Sequence, residues 1–262
     1  MRRFLHWLRV GLYFVNFVVL LYVVPVVWRL FGADDDDMGR LLRLAARNTF
    51  RIFGISWEIV GGEKLSAKQN YIVIANHRSW LDQPSVILAS PRLLHFLGKE
   101  HYFRVPILST TLRLFGCVEV KKGGRSELTE SLGERLRQGG SLVVYPEATR
   151  SDGDTFLSFR SGAYVLSAQT GTPIAPVYIY GAGDALPRAR PFNELQPYPI
   201  RVVIGEPFVA DPNRVDEAGI AAYRDEFMAE YLKYKPVSEP VKVPRLIGRD
   251  VSRRRQRTKR AA

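Results

Sequence analysis

The hydrophobic positions are densest near the amino end of the chain. From Val10 to Val27 the sequence reads VGLYFVNFVVLLYVVPVV, eighteen residues interrupted only by Asn16 and Pro25. A hydrocarbon core about 30 Å thick needs roughly 20 apolar residues in a helix, so this run is just long enough to cross a bilayer. We therefore predict a membrane-associated hydrophobic segment at about residues 10–31.

Two other interpretations of this run stay open. Arg2, Arg3 and Arg9 form a basic leader typical of a secretory signal, but no small-x-small cleavage site follows the run. A helix buried in a soluble core is the second alternative, which the dense β-branched and aromatic composition disfavours. Because basic residues flank both ends of the run, charge does not choose between a spanning helix and a shallow hairpin with both ends in the cytosol.

A helical spacing of hydrophobic positions predicts a second, amphipathic helix at about residues 38–53. Four aspartates, Asp34 to Asp37, precede it and can cap its first turn. At about 100° per residue, its arginines and its apolar side chains fall on opposite faces. The basic face consists of Arg40, Arg43, Arg47 and Arg51, and the apolar face of Leu41, Leu42, Ala45, Ile52 and Phe53. We expect such a helix to lie flat on anionic lipid, the alternative being a surface helix with a solvated basic face.

Between residues 54 and 235 short β-rich runs alternate with helical stretches. Strands are predicted at Ile55–Val60, Tyr71–Ala75, Leu93–Leu97, Cys117–Lys121, Leu142–Tyr145, Ile174–Tyr180 and Arg201–Ile204. Helices are predicted at Gln83–Ala89, Val105–Phe115, Ser126–Arg137, Gly162–Thr170 and Glu217–Tyr234. This alternation indicates an α/β fold with a central mixed, largely parallel sheet flanked by helices. Sites in such sheets lie just beyond the carboxyl ends of strands.

The net charge of +12 is unevenly distributed. Residues 236–262 lose periodicity, are interrupted by prolines and form a basic, flexible tail, and residues 249–262 alone carry +6. The charge left for the rest is too small for a nucleic-acid-binding core, so we expect no nucleic-acid partner. The RRRQRTKR run is also typical of nucleic-acid binding, but beside a membrane segment acidic headgroups are the expected partner. The chain thus divides into anchoring helices (1–53), a globular domain (54–235) and the tail.

The segment NHRSWLDQP, residues 76–84, follows the predicted strand YIVIA and holds the first candidate for chemistry. On one regular helix, His77 and Asp82 would point about 140° apart, so they meet only if a turn intervenes. A carboxylate on one imidazole nitrogen fixes the tautomer and raises the basicity of the other nitrogen. The pair can then take a proton from an alcohol, although a histidine with a purely structural partner is as common.

Two further segments carry charge at predicted strand ends. After LVVY comes PEATRS (146–151), in which Glu147 can accept hydrogen bonds and Arg150 can hold a phosphate in its planar fork. An ion pair between these two is the alternative. The segment GCVEVKKGGR (116–125) brings Lys122 and Arg125 to a glycine turn, which suits phosphate but also describes a simple basic hairpin.

Together these segments resemble the glycerophosphate and lysophospholipid acyltransferase superfamily, closest in size to bacterial 1-acylglycerol-3-phosphate acyltransferases. The resemblance covers roughly residues 70–180 in four ordered blocks: NHRSWLD for N-H-x-x-x-x-D, then GCVEVKK, then PEATRS for P-E-G-T-R-S, and TPIAPVYI for the proline-containing strand. Two departures stand out. Lys122 replaces the usual arginine, and Ala148 replaces the usual glycine, adding a methyl group where the backbone would approach a ligand.

The resemblance implies a membrane-associated enzyme that moves an acyl group from acyl-CoA or acyl carrier protein to the hydroxyl of a lysophospholipid. The acceptor it implies first is 1-acylglycerol-3-phosphate, giving phosphatidic acid on the cytoplasmic side of the membrane. His77 would deprotonate the acceptor and Asp82 would orient it, while Glu147, Thr149, Arg150, Lys122 and Arg125 would bind the substrate. We expect no metal and no cofactor beyond the thioester co-substrate, because His95 and His101 lack paired ligand spacing. Cys117, the only cysteine, allows no disulfide and is expected to pack in a strand.

Three alternatives to this function remain. The acceptor can be another lysolipid, such as an amino-acid lipid with a free hydroxyl, which Lys122 and Ala148 leave open. A hydrolase is disfavoured because the chain has no G-x-S-x-G turn, although Ser79 lies near His77 in sequence. A membrane-tethered, non-enzymatic protein that binds partners through its basic tail is the third.

Overall fold

A computed structural model of the chain describes residues 2–121, 123–151 and 156–235; within these ranges the side chains of Arg2, Arg3 and Arg125 are not described. The tail predicted at 236–262 therefore lies outside the described residues, as does Lys122.

The hydrophobic segment is one continuous helix that begins earlier than predicted. It consists of α1 (Arg2–Val18), a π-helical turn (Val19–Val23) and α2 (Val24–Leu30). The π-turn precedes Pro25, which has no amide hydrogen to donate, and the amide of Val24 donates instead to the carbonyl of Val19, five residues back. The stretch Phe4–Leu30 is 27 residues long, which is enough to cross a membrane by length and composition.

Helix α3 (Asp35–Phe53) begins three residues before the predicted start, so three of the four aspartates form its first turn. Asp34 is the N-cap: its side chain accepts from the amide of Asp37, and the Asp37 carboxylate accepts from the amide of Asp34. Gly54, with a φ of 68°, ends the helix in the left-handed conformation.

The prediction that the apolar face of α3 lies on lipid is wrong. Its apolar side chains are buried inside the protein, where Phe50 and Phe53 belong to the main core and Met38 and Leu41 pack near α2 and α4. The tertiary core offered these side chains the same apolar environment as a membrane, and sequence periodicity does not distinguish the two. The arginine face stays outside: Arg40, Arg47 and Arg51 are exposed, and Arg43 donates to the carbonyls of Ser90 and Pro91.

The predicted α/β architecture is confirmed. In the described part of the chain, seven strands form one sheet in the order β1-β7-β6-β2-β5-β3-β4, and every adjacent pair is parallel except β6 and β7. The strands are β1 (Trp57–Val60), β2 (Ile72–Ala75), β3 (Leu94–Lys99), β4 (Val118–Val120), β5 (Ser141–Val144), β6 (Ile174–Tyr180) and β7 (Ile200–Ile204). The helices are α4 (Asp82–Ala89), α5 (Pro106–Leu114), α6 (Arg125–Arg137), α7 (Gly162–Thr170), α8 (Ala182–Ala185) and α9 (Glu217–Tyr234).

Helices cover both faces of the sheet, and side chains of the central strand β2 alternate between them. Val73 and Ala75 point into a core shared with α3, α4 and α8, whereas Ile72 and Ile74 point into a core shared with α6, α7 and α9. All four residues of β2 are buried, which is why its sequence shows no polar alternation.

The parallel strands β2, β5, β3 and β4 end at the same edge of the sheet. The segments that follow β2 and β5 therefore lie next to each other, although about 70 residues separate them in sequence. This edge carries the candidate functional side chains.

Candidate active site

His77 and Asp82 are in contact, with 2.8 Å between Nδ1 of His77 and Oδ2 of Asp82. His77 follows β2, and Asp82 is the first residue of α4, so the turn between them reverses the direction of the chain. This is the turn that the five-residue spacing required. The Asp82 side chain is fully buried, whereas 15% of the His77 side chain is exposed to solvent.

The same oxygen of Asp82 closes the turn that carries the histidine. Oδ2 also accepts hydrogen bonds from the amides of Arg78, at 2.6 Å, and Ser79, at 2.7 Å. Three donors on one oxygen fix the carboxylate, and the carboxylate in turn holds Nδ1 of His77 as its hydrogen donor. Nε2 then carries the lone pair that can accept a proton.

Tyr145 forms one wall of the pair. Its ring is stacked on the imidazole of His77, with 4.0 Å between the centroids and 17° between the planes. Burial, and then the nearby charge of Asp82, raise the pKa of the Tyr145 hydroxyl well above its usual value. The sequence reasoning missed this residue because it treated Tyr145 as the last residue of a strand. Its position directly before PEATRS was the available signal.

Glu147 joins the two strand-end segments through main-chain amides. It is 4% exposed, one carboxylate oxygen accepts from the amide of His77 at 3.3 Å, and the other accepts from the amide of Leu157 at 3.0 Å. The alternative of an ion pair with Arg150 is wrong, since no ion pair or hydrogen bond joins these two described side chains. These contacts position the backbone on both sides of the site, and the substrate-binding role of Glu147 remains a prediction.

Arg150 lies beside the His77 turn. Its guanidinium carbon is 4.8 Å from the ring centroid of Trp80, and the following amide, of Ser151, donates to the carbonyl of His77 at 2.8 Å. Within the described ranges, Nη1 of Arg150 is buried and has no hydrogen-bond partner. Thr149, on the same turn, is half-buried. The structure thus brings Arg150 next to the turn that carries His77, and its phosphate-binding role remains a prediction.

Ala148 has a φ of 57°, in the left-handed region where a Cβ atom is unfavourable. The glycine that is usual in this motif therefore suits the backbone conformation of the turn. Ala148 is also exposed, so its methyl group does not fill the site. The methyl group at position 148 therefore gives no structural reason for a different acceptor, and the departure is primarily a source of backbone strain.

The cations predicted on the other side of the site are only partly described. Lys122 and the side chain of Arg125 lie outside the described residues, while Lys121 is exposed at the end of β4. The sequence reasoning overlooked Lys99, which ends β3 at the same edge, opposite Val120 in the parallel register. The predicted strand stopped at Leu97, two residues too early, and so left Lys99 in a loop.

Behind the base, Asp82 contributes to the wall of a cavity of about 210 Å³ together with Arg78, Ser151, Ile179 and Arg188. The second oxygen of Asp82, Oδ1, is buried and has no hydrogen-bond partner in the described part of the chain. A water molecule in this cavity would satisfy it.

Two other candidate groups have structural contacts. Ser79 is fully buried, and its hydroxyl donates to the carbonyl of Leu186 at 2.8 Å, so it is not placed to act as a hydrolase nucleophile with His77. His95 is buried, its Nδ1 lies 3.2 Å from the carbonyl of Phe115, and burial lowers its pKa. Burial likewise raises the pKa of the Cys117 thiol to about 11, which leaves little reactive thiolate at neutral pH.

Comparison with known proteins finds a family that this geometry resembles. Residues 56–180, which contain both strand-end segments, match the family model described as Acyltransferase. The match covers 125 of the 262 residues, just under half of the chain. The resemblance predicted from NHRSWLD and PEATRS is therefore confirmed.

Several proteins similar to this chain are named as acyltransferases. The chloroplastic 1-acyl-sn-glycerol-3-phosphate acyltransferase BAT2 of Brassica napus is 28% identical over 154 residues, which cover 57% of this chain and 44% of that protein. The lyso-ornithine lipid O-acyltransferase of Pseudomonas aeruginosa is 29% identical over 170 residues, 62% of each chain. This chain thus spans less than half of the chloroplast relative.

The fold of this chain also occurs in a solved structure. The 1-acyl-sn-glycerophosphate acyltransferase PlsC of Thermotoga maritima superposes with a TM-score of 0.73 and is 22% identical, and the match covers 91% of this chain and all of that one. The match extends beyond residues 56–180, so most of the architecture outside the family-model range is shared as well.

Proposed function

We propose that this protein is an O-acyltransferase that moves a fatty acyl group from a thioester to the hydroxyl of a lysophospholipid. The acceptor is 1-acylglycerol-3-phosphate and the product is phosphatidic acid. The observation that carries the proposal is the hydrogen bond between His77 and Asp82 at the sheet edge, with Arg150 beside the same turn. The relatives named above support the reaction class.

In the proposed mechanism, Nε2 of His77 removes the proton of the acceptor hydroxyl as its oxygen attacks the thioester carbonyl. The tetrahedral intermediate collapses with cleavage of the carbon–sulfur bond, and the protonated His77 returns the proton to the leaving thiolate. Asp82 holds the imidazole in the required tautomer throughout. No acyl-enzyme forms in this scheme, so no serine or cysteine nucleophile is required.

The charges around the base suit two anionic substrates. Arg150 would bind the acceptor phosphate, and Lys99 and Lys121 offer cations on the β3–β4 side of the edge. Lys122 and Arg125 stay in the proposal as substrate-binding residues because of the motif in which they occur. Acyl-CoA and acyl carrier protein both present a thioester on a phosphopantetheine arm, and both are donors in the proposal. Supplying each with the same acyl chain and measuring kcat/KM identifies which donor is used.

Substituting the base tests the mechanism. We expect His77→Ala to lower kcat with 1-acylglycerol-3-phosphate by about 10²–10⁴-fold, the usual contribution of a general base. His101→Ala is the matched control, because His101 is exposed and has no place in the proposed chemistry. Near-normal turnover by purified His77→Ala protein would eliminate His77 as the base.

A second acceptor class is supported by one comparison. The lyso-ornithine lipid O-acyltransferase matches this chain over more of its length than the chloroplast enzyme does, at nearly the same identity. An acceptor panel at one donor concentration separates the two classes. A higher kcat/KM for lyso-ornithine lipid than for 1-acylglycerol-3-phosphate would show that the proposed acceptor is wrong. It would also show that Arg150 does not serve as a phosphate ligand.

We also propose that the domain binds one leaflet of the membrane, on the cytoplasmic side, with the α1–α2 helix lying in the lipid. One face of this helix contacts the domain along its whole length. At its start His6 bonds the carbonyl of Asn193, further along Asn16 bonds that of Ala45, and near its end Arg29 bonds that of Leu114. A spanning orientation would draw these contacts into the bilayer. The other face exposes large apolar side chains, namely Phe4, Trp7, Leu8, Leu12, Phe14, Val15, Val18, Val19, Val23, Val27 and Trp28.

Labelling both ends of the helix tests this orientation. Arg2→Cys and Gly32→Cys, each combined with Cys117→Ser, are treated in sealed inverted vesicles with a maleimide that does not cross membranes. We expect both positions to react from the same side. Reaction from opposite sides would establish a spanning helix. Removing residues 249–262 in the same vesicles measures what the basic tail adds to lipid binding.

A further inference from the structure

Trp80 contacts Arg150, the arginine of the segment that follows β5. The guanidinium carbon of Arg150 lies 4.8 Å from the centroid of the indole, inside the range of a cation–π interaction. Trp80 is 43% exposed, which is unusual for a large aromatic side chain in the middle of a folded segment. It is therefore neither a core residue nor part of the apolar face of α1–α2.

Trp80 belongs to the turn that holds the base. It lies between His77 and Asp82, whereas Arg150 belongs to the segment after β5. The two segments are joined by the backbone hydrogen bond from Ser151 to His77 and by the stack of Arg150 on Trp80. The stack thus fixes where the cationic head lies relative to the imidazole, which the backbone bond alone does not do.

The stack also leaves the right part of the guanidinium available. The guanidinium carbon lies over the indole ring, and a planar guanidinium can bind a phosphate with two parallel hydrogen bonds. Nη1 of Arg150 is buried without a hydrogen-bond partner among the described residues, so it has donor capacity that those residues do not use. A bound anion would use it.

We propose that Trp80 is a specificity-determining positioning residue: it holds Arg150 at a fixed distance from His77, so that the enzyme selects acceptors with a phosphate on the carbon next to the reacting hydroxyl. This inference rests on the proposed function and adds to it the residue that sets the spacing. Trp80 acts through Arg150 and does not itself take part in the chemistry.

The kinetic experiment compares wild type, Trp80→Phe and Trp80→Leu with one acyl-CoA and two acceptors. The acceptors are 1-acylglycerol-3-phosphate and 1-acylglycerol with the same acyl chain, which lacks the phosphate. We expect Trp80→Leu to raise KM for the phosphate acceptor about three- to thirtyfold and to leave KM for the other acceptor unchanged. Trp80→Phe keeps a π face and should restore most of the affinity.

A binding measurement makes the inference independent of turnover. Calorimetry with glycerol 3-phosphate should show weaker affinity for Trp80→Leu by a similar factor, near-normal affinity for Trp80→Phe and the largest loss for Arg150→Gln. Trp80→Met, which retains more of the side-chain volume, should behave like Trp80→Leu and serves if the leucine variant does not fold. Thermal unfolding of each variant establishes that it is folded.

The outcomes separate this inference from the proposed function. If wild-type protein transfers no acyl group to 1-acylglycerol-3-phosphate, the proposed acceptor is wrong, and glycerol 3-phosphate binding still tests Trp80. An equal rise of KM for both acceptors in Trp80→Leu, or unchanged glycerol 3-phosphate affinity, would overturn the role of Trp80. Loss of vesicle binding together with that equal rise would identify Trp80 as a lipid contact instead.

Discussion

The rings of His77 and Tyr145 lie face to face, 4.0 Å apart between centroids. Asp82 holds the edge of the imidazole through Nδ1, and the ring of Tyr145 holds its face. A base restrained in this way does not have to be ordered when the substrate binds.

Removing the stack should therefore slow the reaction. We expect Tyr145→Leu to lower kcat by about tenfold or more, because the imidazole can then rotate out of the reactive geometry. Tyr145→Phe is the matched control, since it retains the ring and should stay much closer to wild type. Equal losses in the two variants would mean that the hydroxyl, and not the stack, is what matters.

Replacing one oxygen of the Asp82 carboxylate with nitrogen should strongly slow the reaction. In Asp82→Asn an amide can still accept hydrogen bonds from Arg78 and Ser79, but the group loses its charge and can hold the wrong tautomer. We expect kcat to fall about 10³-fold or more while the fold is retained. Circular dichroism and steady-state kinetics on the same preparation measure both. A loss of activity in proportion to a loss of folded protein would contradict the prediction.

The strained turn at Ala148 gives a prediction about stability. Ala148→Gly should raise the free energy of unfolding by about 1 kcal/mol, because glycine adopts a φ of 57° without the steric cost that alanine bears. Ala168→Gly in helix α7 is the control and should lower it by about the same amount. Denaturant unfolding measures both. A decrease in stability in Ala148→Gly would show that the turn is not strained.

Stability should fall in mild acid because of His95. Its pKa is lowered by burial, and secondly by the charge of Arg135, so the unfolded chain binds this proton more readily than the folded one. The contribution of His95 to the free energy of unfolding is therefore fully present above the unfolded pKa of about 6.5. It is lost as the pH falls from there through the lower pKa of the folded state. In His95→Gln the free energy of unfolding should decrease less between about pH 7 and pH 5 than it does in the wild type. The same pH dependence in both proteins would assign it to other groups.

The sequence predicts the bounds of a helix or strand correctly where local signals coincide with the ends of that element in the fold. The strand Ile174–Tyr180 and the helices Gly162–Thr170 and Glu217–Tyr234 match their predicted bounds. Local signals mark the helix ends, such as Gly171 in the left-handed conformation after the first helix and Asp216 as the N-cap of the second. The meeting of His77 with Asp82 was predictable as well, since only a turn brings the two together. Family motifs then placed both strand ends in one domain.

What the sequence did not reveal depends on partners distant along the chain. The position of Tyr145 before PEATRS places it near the sheet edge, but it does not indicate the stack on His77. Nothing local to Trp80 indicates its contact with Arg150, because both contacts join segments about 70 residues apart. The apolar face of α3 was assigned to lipid for the same reason. Its actual neighbours on α1 and α4 are determined by tertiary packing.

The contacts between α1–α2 and α3 bear on any attempt to obtain a soluble form of this enzyme. Deleting about the first thirty residues would expose Phe53 and Met38 to solvent. The remaining protein would then have a new apolar surface that favours aggregation. Replacing the exposed apolar residues of the helix with polar ones, while keeping Tyr13 and Asn16, retains the contacts between this helix and α3. For crystallisation or spectroscopy without detergent, redesign of these exposed residues is the better route than truncation.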